Sequence, residues 1–231
     1  MATWVITGAS QGIGAAISRA AAPGNTIALV ARNQENLEAV AREVGDAGGS
    51  AGVFACDVTD DDAVRKTASR IVTEFGVPDV LVNNAGSFVP GSLMDTEPGV
   101  FRRQLEVNVT SAFLVTRAFL PGMQDRGSGH VLFMASVAST RGYPGGLAYC
   151  AAKHGLLGLA RGVREETRST GVRVTTLLPG ATLTPSWHGV DIPEDRFMPA
   201  EDIAAAVVGA VALSGRTVVE EILLRPQEGD L

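Results

Sequence analysis

The chain has 231 residues, 45% of them apolar and 19% charged, and carries a net charge of −6. That length and balance suit one large buried core and exclude a disordered or low-complexity chain. No dense Lys/Arg cluster occurs, which argues against a nucleic-acid groove or an anionic membrane surface as the partner.

In chain order, the first predicted strand is Thr3–Thr7. It runs directly into Thr7-Gly8-Ala9-Ser10-Gln11-Gly12-Ile13-Gly14, and a helical pattern follows over Ile13–Ala22. Glycines at a strand end permit a tight turn and let backbone approach a pyrophosphate. The helix N-terminus then offers free N–H groups and a positive dipole end to phosphate. A second strand over Thr26–Ala31 ends in Ala31-Arg32-Asn33. An acidic residue there would bind ribose hydroxyls; Ala31 stands in its place, and the Arg32 guanidinium suits a 2′-phosphate. This favours NADP(H) over NAD(H) as the cofactor.

A helix is predicted over Gln34–Ala47, a strand over Ala51–Ala55, a helix over Asp61–Phe75 and a short strand over Val80–Val82. One long helix is expected over Gly99–Gln124. The strand His130–Met134, the helix Leu147–Ser169, the strand Arg173–Leu178, the helix Ala200–Leu213 and the strand Val218–Leu224 complete the chain. Strand and helix alternate regularly, and several strands are continuous Val/Ile/Leu runs. The expectation is an α/β fold with a doubly wound parallel sheet of Rossmann type, about seven strands covered by helices on both faces. It would form a single domain over residues 1–231, with the irregular segment 184–199 as a candidate substrate loop.

The chemistry-bearing pair is Tyr149 and Lys153, four apart and therefore on one helix face. A lysine ammonium beside a phenol favours the phenolate and is expected to lower its pKa from about 10. Such a tyrosine can exchange a proton with a substrate oxygen. Ser136 lies thirteen residues upstream. His154 points about 100° around the helix from Lys153, a packing or interface position. Cys56 and Cys150 sit in apolar contexts without metal-ligand spacing, so buried thiols and no metal are expected. No 18-residue apolar run suggests a membrane span, and the apolar strand at Thr3 leaves no room for a signal peptide. A soluble cytoplasmic protein is the expectation.

With these motifs in order, the chain resembles the short-chain dehydrogenase/reductase family over residues 3 to about 184. Thr7 through Gly14 matches its Thr-Gly-x-x-x-Gly-x-Gly pattern, Asp57-Val58 its Asp-Val beside adenine, and Asn83-Asn84-Ala85-Gly86 its Asn-Asn-Ala-Gly. Asn108, Ser136, Tyr149 and Lys153 match the catalytic asparagine, serine, tyrosine and lysine, and Pro179-Gly180 with Thr184 matches the segment that touches nicotinamide. The resemblance implies an oxidoreductase that interconverts a carbonyl and a secondary alcohol. Tyr149 would be the general acid/base, and Lys153 would tune it and bind the nicotinamide ribose. Ser136 would steady the substrate oxygen, and Asn108 would hold a water that relays protons. It further implies cofactor contacts from Gly8, Ser10, Gln11, Gly12, Ile13, Gly14, Arg32, Asp57, Val58, Asn84, Tyr149, Lys153, Thr182 and Thr184. Homodimers or homotetramers through the two long central helices are also implied.

Substrate choice is expected to lie with Phe88, Val137, Tyr143, Trp187, His188, Phe197 and Met198, an apolar set suited to a neutral small-molecule carbonyl. The ending Glu220-Glu221-Ile222-Leu223-Leu224-Arg225-Pro226-Gln227 lacks the Asp-Gly-Gly segment of acyl-carrier reductases. It is more similar to relatives acting on small hydroxy acids and assorted carbonyls. Two alternatives stay open: an NAD-linked alcohol or hydroxy-acid dehydrogenase of the same fold, and a cofactor-binding regulatory protein without turnover.

Overall fold

A computed structural model describes residues 1–187 and 189–231; His188 lies outside the described residues. Seven parallel strands form one sheet in the order β3-β2-β1-β4-β5-β6-β7. They are β1 (Thr3–Thr7), β2 (Thr26–Ala31), β3 (Ser50–Ala55), β4 (Val80–Asn83), β5 (Gly129–Met134), β6 (Val172–Pro179) and β7 (Glu221–Leu224). The order reverses between β1 and β4, so their C-terminal ends open the crevice where α/β sheets bind ligands.

The helices are α1 (Gly12–Ala21), α2 (Gln34–Asp46), α3 (Asp61–Phe75), α4 (Pro98–Leu105), α5 (Ser111–Arg126), α6 (Leu147–Thr167) and α7 (Ala200–Ala212). The sheet is covered on both faces, which is why its central strands are continuous apolar runs. One core holds Val5, Leu81, Val131 and Phe133 against α3, α5 and α6. The other holds Ile6, Ile27, Leu29, Val82, Leu132 and Leu177 against α1, α2 and α7. Alternate residues of one strand thus feed opposite cores, as the two-residue strand period requires.

Two expectations are corrected. The helix Gly99–Gln124 is not continuous: a π-helical turn, Glu106–Thr110, separates α4 from α5. A π turn advances the hydrogen bond to i→i+5 and strands backbone carbonyls. Here Asn108 Nδ2 donates to the Gln104 carbonyl at 3.0 Å and Ser111 Oγ to the Val107 carbonyl at 2.6 Å. Polar side chains that can make these bonds are what the turn needs. The last strand begins at Glu221 rather than Val218, because the Val219 carbonyl is taken by the Thr175 hydroxyl (2.6 Å) instead of a ladder partner.

Side-chain caps fix the loop ends. The Arg173 guanidinium donates to the carbonyls of Val211 and Leu213 (both 3.0 Å) where α7 ends. Arg126 likewise reaches the Val77 and Pro78 carbonyls at 2.7 and 2.8 Å. His130, buried on the interior strand β5, pairs Nε2 with the Thr175 hydroxyl at 2.7 Å, and burial pulls its pKa to about 3. It is a neutral packing residue. Neither Cys56 nor Cys150 is disulfide-bonded, and both are buried.

Candidate active site

Thr7 organises the strand ends that meet at the crevice. Its hydroxyl accepts from the Asn84 and Ala85 amides at 3.0 and 3.1 Å. Asn84 Nδ2 returns bonds to the carbonyls of Thr7 (3.0 Å) and Gly8 (3.2 Å), so β1 and β4 are tied where they turn outward. Gly8 and Gly12 adopt φ of +63° and +55°, conformations that favour glycine. At Gly14 a Cβ would collide with the Gly8 carbonyl and stand 2.6 Å from Asn84 Nδ2. Gly8 and Gly14 are therefore dictated by close backbone approach, and Gly12 by its positive φ.

The first turn of α1 carries no acidic side chain, and Gln11 at its N-cap makes no capping bond. Its leading amides thus face outward, a ready anion cradle. Ser10 and Ile13 flank the turn, Ile13 packing partly into the core beneath. Thr184 closes over the cradle, its Cγ2 3.3 Å from where a Gly12 Cβ would stand. Thr182 lies nearby, buried, with its hydroxyl on the Gly180 carbonyl at 3.1 Å.

Arg32 projects exposed from the end of β2. Asp57, after β3, spends one carboxylate oxygen on the Thr59 amide (3.0 Å) and hydroxyl (2.7 Å). The Thr59 amide bond is the largest cause holding its pKa below the usual carboxylate value; Arg103 and Arg32 add smaller pulls. Val58 beside it is buried.

On the other side of the crevice, Ser136 follows β5 and caps a short 3-10 turn, Val137–Ser139. Its hydroxyl accepts from the Ala138 amide at 3.1 Å and donates to the Pro179 carbonyl at a long 3.4 Å. Tyr149 sits one turn into α6, partly exposed, its ring edge-on to Phe88 at 5.2 Å. Lys153 lies one turn deeper, 4% exposed, with Nζ donating to the Met134 carbonyl at 2.8 Å. Burial alone drags its pKa from 10.5 to about 8.

The expected depression of the tyrosine by the lysine is not seen. Burial raises the Tyr149 pKa, and the neighbouring Ser136 hydroxyl pulls in the opposite direction. Lys153 Nζ stands 5.5 Å from the centre of the tyrosine ring and is turned to the Met134 carbonyl. Helical spacing brings the two side chains together, but desolvation is the largest influence on both.

Asn108, fully buried in the π turn, accepts from the Ser87 amide (3.3 Å) and donates to the Ser87 carbonyl (2.9 Å). Its Oδ1 and Lys153 Nζ lie 2.8 and 3.6 Å from the Cβ that Gly86 lacks, so the three meet at one point. Ser87 and Gln104, paired at 3.0 Å, complete this corner. Sequence reading missed both, because polar residues on a loop and a helix carry no period linking them.

Of the expected substrate-side residues, Phe88 and Tyr143 are exposed and Val137 is buried beside Ser136. Phe197 and Met198 are buried, with the Trp187 and Phe197 rings 4.9 Å apart. Met198 packs into the core shared with α1 and α7.

The pattern of short chain dehydrogenase matches residues 2–194. The chain belongs to that family. The short-chain dehydrogenase is 38% identical to a sepiapterin reductase of Chlorobaculum tepidum over 236 residues, covering 98% of this chain and 97% of that one. Among solved structures it is similar to an alcohol dehydrogenase from the archaeon Thermococcus sibiricus complexed with 5-hydroxy-NADP, with 32% identity and a TM-score of 0.92. That match covers 100% of this chain and 99% of the other. An L-sorbose reductase from Gluconobacter frateurii, complexed with NADPH and L-sorbose, matches at 27% identity and a TM-score of 0.90, covering 97% and 95%.

Proposed function

We propose that this one-domain short-chain dehydrogenase is an NADP(H)-dependent oxidoreductase that interconverts a carbonyl and a secondary alcohol, with Tyr149 as general acid/base. The observation that carries the reading is the convergence of Ser136, Tyr149 and a carboxylate-free, buried Lys153 at the strand ends beside an uncapped glycine cradle. The cradle fits a pyrophosphate, and the exposed Arg32, with no acid at Ala31, fits a 2′-phosphate. The NADP complexes of similar structures support the same choice.

When bound, the nicotinamide supplies or takes the hydride. Every other task falls to the chain. The glycine cradle would hold the phosphates, and Thr184, closing over it, would lie against the bound cofactor. Ser136 and Tyr149 hydroxyls donate to the substrate oxygen and stabilise the negative charge that grows there. Tyr149 then gives up its proton in reduction and recovers it in oxidation. Its raised pKa keeps it protonated near neutral pH, which suits reduction. Lys153 holds its proton loosely, and Asn108 beside it would seat the water that reprotonates the site.

Sepiapterin and L-sorbose each carry a hydroxyl next to a ketone, so α-hydroxyketones head the substrate panel. Exposed Phe113 on α5 and Leu147 on α6 support assembly as a homodimer or homotetramer. The test follows NADPH consumption over that panel with wild type and Tyr149→Phe. Turnover by wild type should fall at least about 1,000-fold in the variant, while NADPH affinity stays the same. Binding of NADPH without turnover of any carbonyl would favour a regulatory protein, and preference for NADH would favour an NAD-linked enzyme.

A further inference from the structure

The last residues of the chain return to the site. After β7, Arg225 and Pro226 leave the sheet, and Gly229, at φ +89°, donates its amide to the Pro226 carbonyl at 2.9 Å. This turn brings Asp230 back beside Arg225, whose Nη1 lies 3.5 Å from its carboxylate. The same carboxylate oxygen accepts from Arg141. Asp230 is the inner member of the trio: its side chain is 18% exposed, against 44% for Arg141 and 42% for Arg225.

Each arm of this segment reaches a different substrate-side element. Arg141 belongs to the turn between Ser136 and Tyr149. Gly180, directly after the Pro179 whose carbonyl Ser136 contacts, donates its amide to Leu224 at 2.8 Å. A Cβ on Gly180 would stand 3.1 Å from Pro226 and 3.3 Å from Asp230 Oδ1, so the segment lies flush on that backbone. Glu228 pairs with Arg196 of segment 184–199 at 3.1 Å.

We propose that residues 225–230 form a strap that holds the turn after Ser136 and the segment after Pro179 in register, with Asp230 as the positioning residue. The inference rests on the carbonyl-reduction reading for its kinetic consequence, though not for its structural one. Among the described residues no hydrogen bond or ion pair joins the strap to the glycine cradle itself, so its loosening should act more on substrate than on cofactor. Two arginines on one partly buried carboxylate make a network, which holds geometry better than isolated surface pairs do.

Hydrogen exchange of the full chain tests the strap directly in wild type, Asp230→Asn and Arg141→Gln. Amides in 140–146 and 180–199 should exchange about tenfold faster in both variants, with β1 to β5 unchanged. The kinetic companion is a rise of about fivefold in KM for the carbonyl, with a smaller loss of NADPH affinity, since Thr182 and Thr184 lie in the loosened segment while the glycine cradle stays fixed. Unchanged loop exchange overturns the proposal, as does acceleration throughout the sheet. A raised KM with unchanged exchange also overturns it, because Asp230 would then touch substrate itself. If wild type reduces no carbonyl, the functional reading fails while the exchange result still decides the strap.

Discussion

The two banks of the crevice are held in opposite ways. On the cofactor bank, position comes largely from main chain: Gly14 packs on the Gly8 carbonyl, Gly8 on the Ala85 backbone, and the Asn84 amide stitches the turn to β4. On the substrate bank, position comes from long side chains: Arg141 and Arg196 reach acids on the strap, and Arg225 pairs with Asp230 within it. That bank also exposes Leu93 (72%) and Met94 (89%). A backbone collision costs several kcal/mol, whereas an exposed ion pair contributes about 0–1 kcal/mol. One bank therefore tolerates almost no change at its turn, and the other is built to be altered piece by piece.

The sharpest way to break this contrast is Gly14→Ala. The added methyl meets the Gly8 carbonyl and the Asn84 amide, neither of which can retreat without opening the β1–β4 junction. We expect about 3 kcal/mol of lost stability, and NADPH binding should disappear. Denaturant unfolding and cofactor titration measure the two; near-wild-type values in both would mean the cradle is soft.

Lys153→Met comes next, and its sign depends on pH. The folded-state pKa of Lys153 is depressed to about 8. Below that value both folded and unfolded chains hold the proton, and the fold bears the full cost of a buried charge. Between about 8 and 10.5 the unfolded chain binds more protons, so wild-type stability rises with pH. The methionine variant should thus be more stable than wild type at pH 7, by on the order of 3 kcal/mol before the lost Met134 bond is counted. The gap should close by pH 10.5, and turnover should be lost throughout. A gap that does not move with pH would show that Lys153 is not the titrating group.

The smallest effect belongs to Arg32→Ala. As an exposed side chain it should alter stability by no more than about 0.5 kcal/mol. Affinity for NADPH should fall about tenfold while that for NADH is unchanged, equivalent to about 1.4 kcal/mol of a charge-assisted phosphate contact. Equal losses for the two cofactors would remove the 2′-phosphate assignment.

These contrasts also explain what could be read from the sequence. β1, β2 and α3 fall where Thr3–Thr7, Thr26–Ala31 and Asp61–Phe75 placed them, because buried parallel strands and capped amphipathic helices carry strong local patterns. Asp60, for instance, caps α3 by accepting from the Ala63 amide at 3.1 Å. The glycine turn was legible because its residue types are forced by sterics. Burial was not legible: spacing placed Lys153 beside Tyr149 but could not reveal that desolvation governs both pKa values. Asp57 was expected beside adenine, and its preoccupation with Thr59 depends on a turn that no period announces. The burial of Phe197 and Met198 likewise depends on how segment 184–199 folds back, as in the Leu183 amide bonding the Met198 carbonyl at 2.8 Å.

The π turn gives α4 and α5 separate rotational phases. α5 is keyed to the sheet by Ala112, Val115, Phe119 and Met123, while α4 aims Gln104 at Ser87. In an unbroken helix these two settings would be locked together at about 100° per residue. The extra residue uncouples them, so the helix works as a vernier. Its coarse scale reads the sheet, its fine scale reads the loop beside Lys153, and Asn108 sits at the index mark between them.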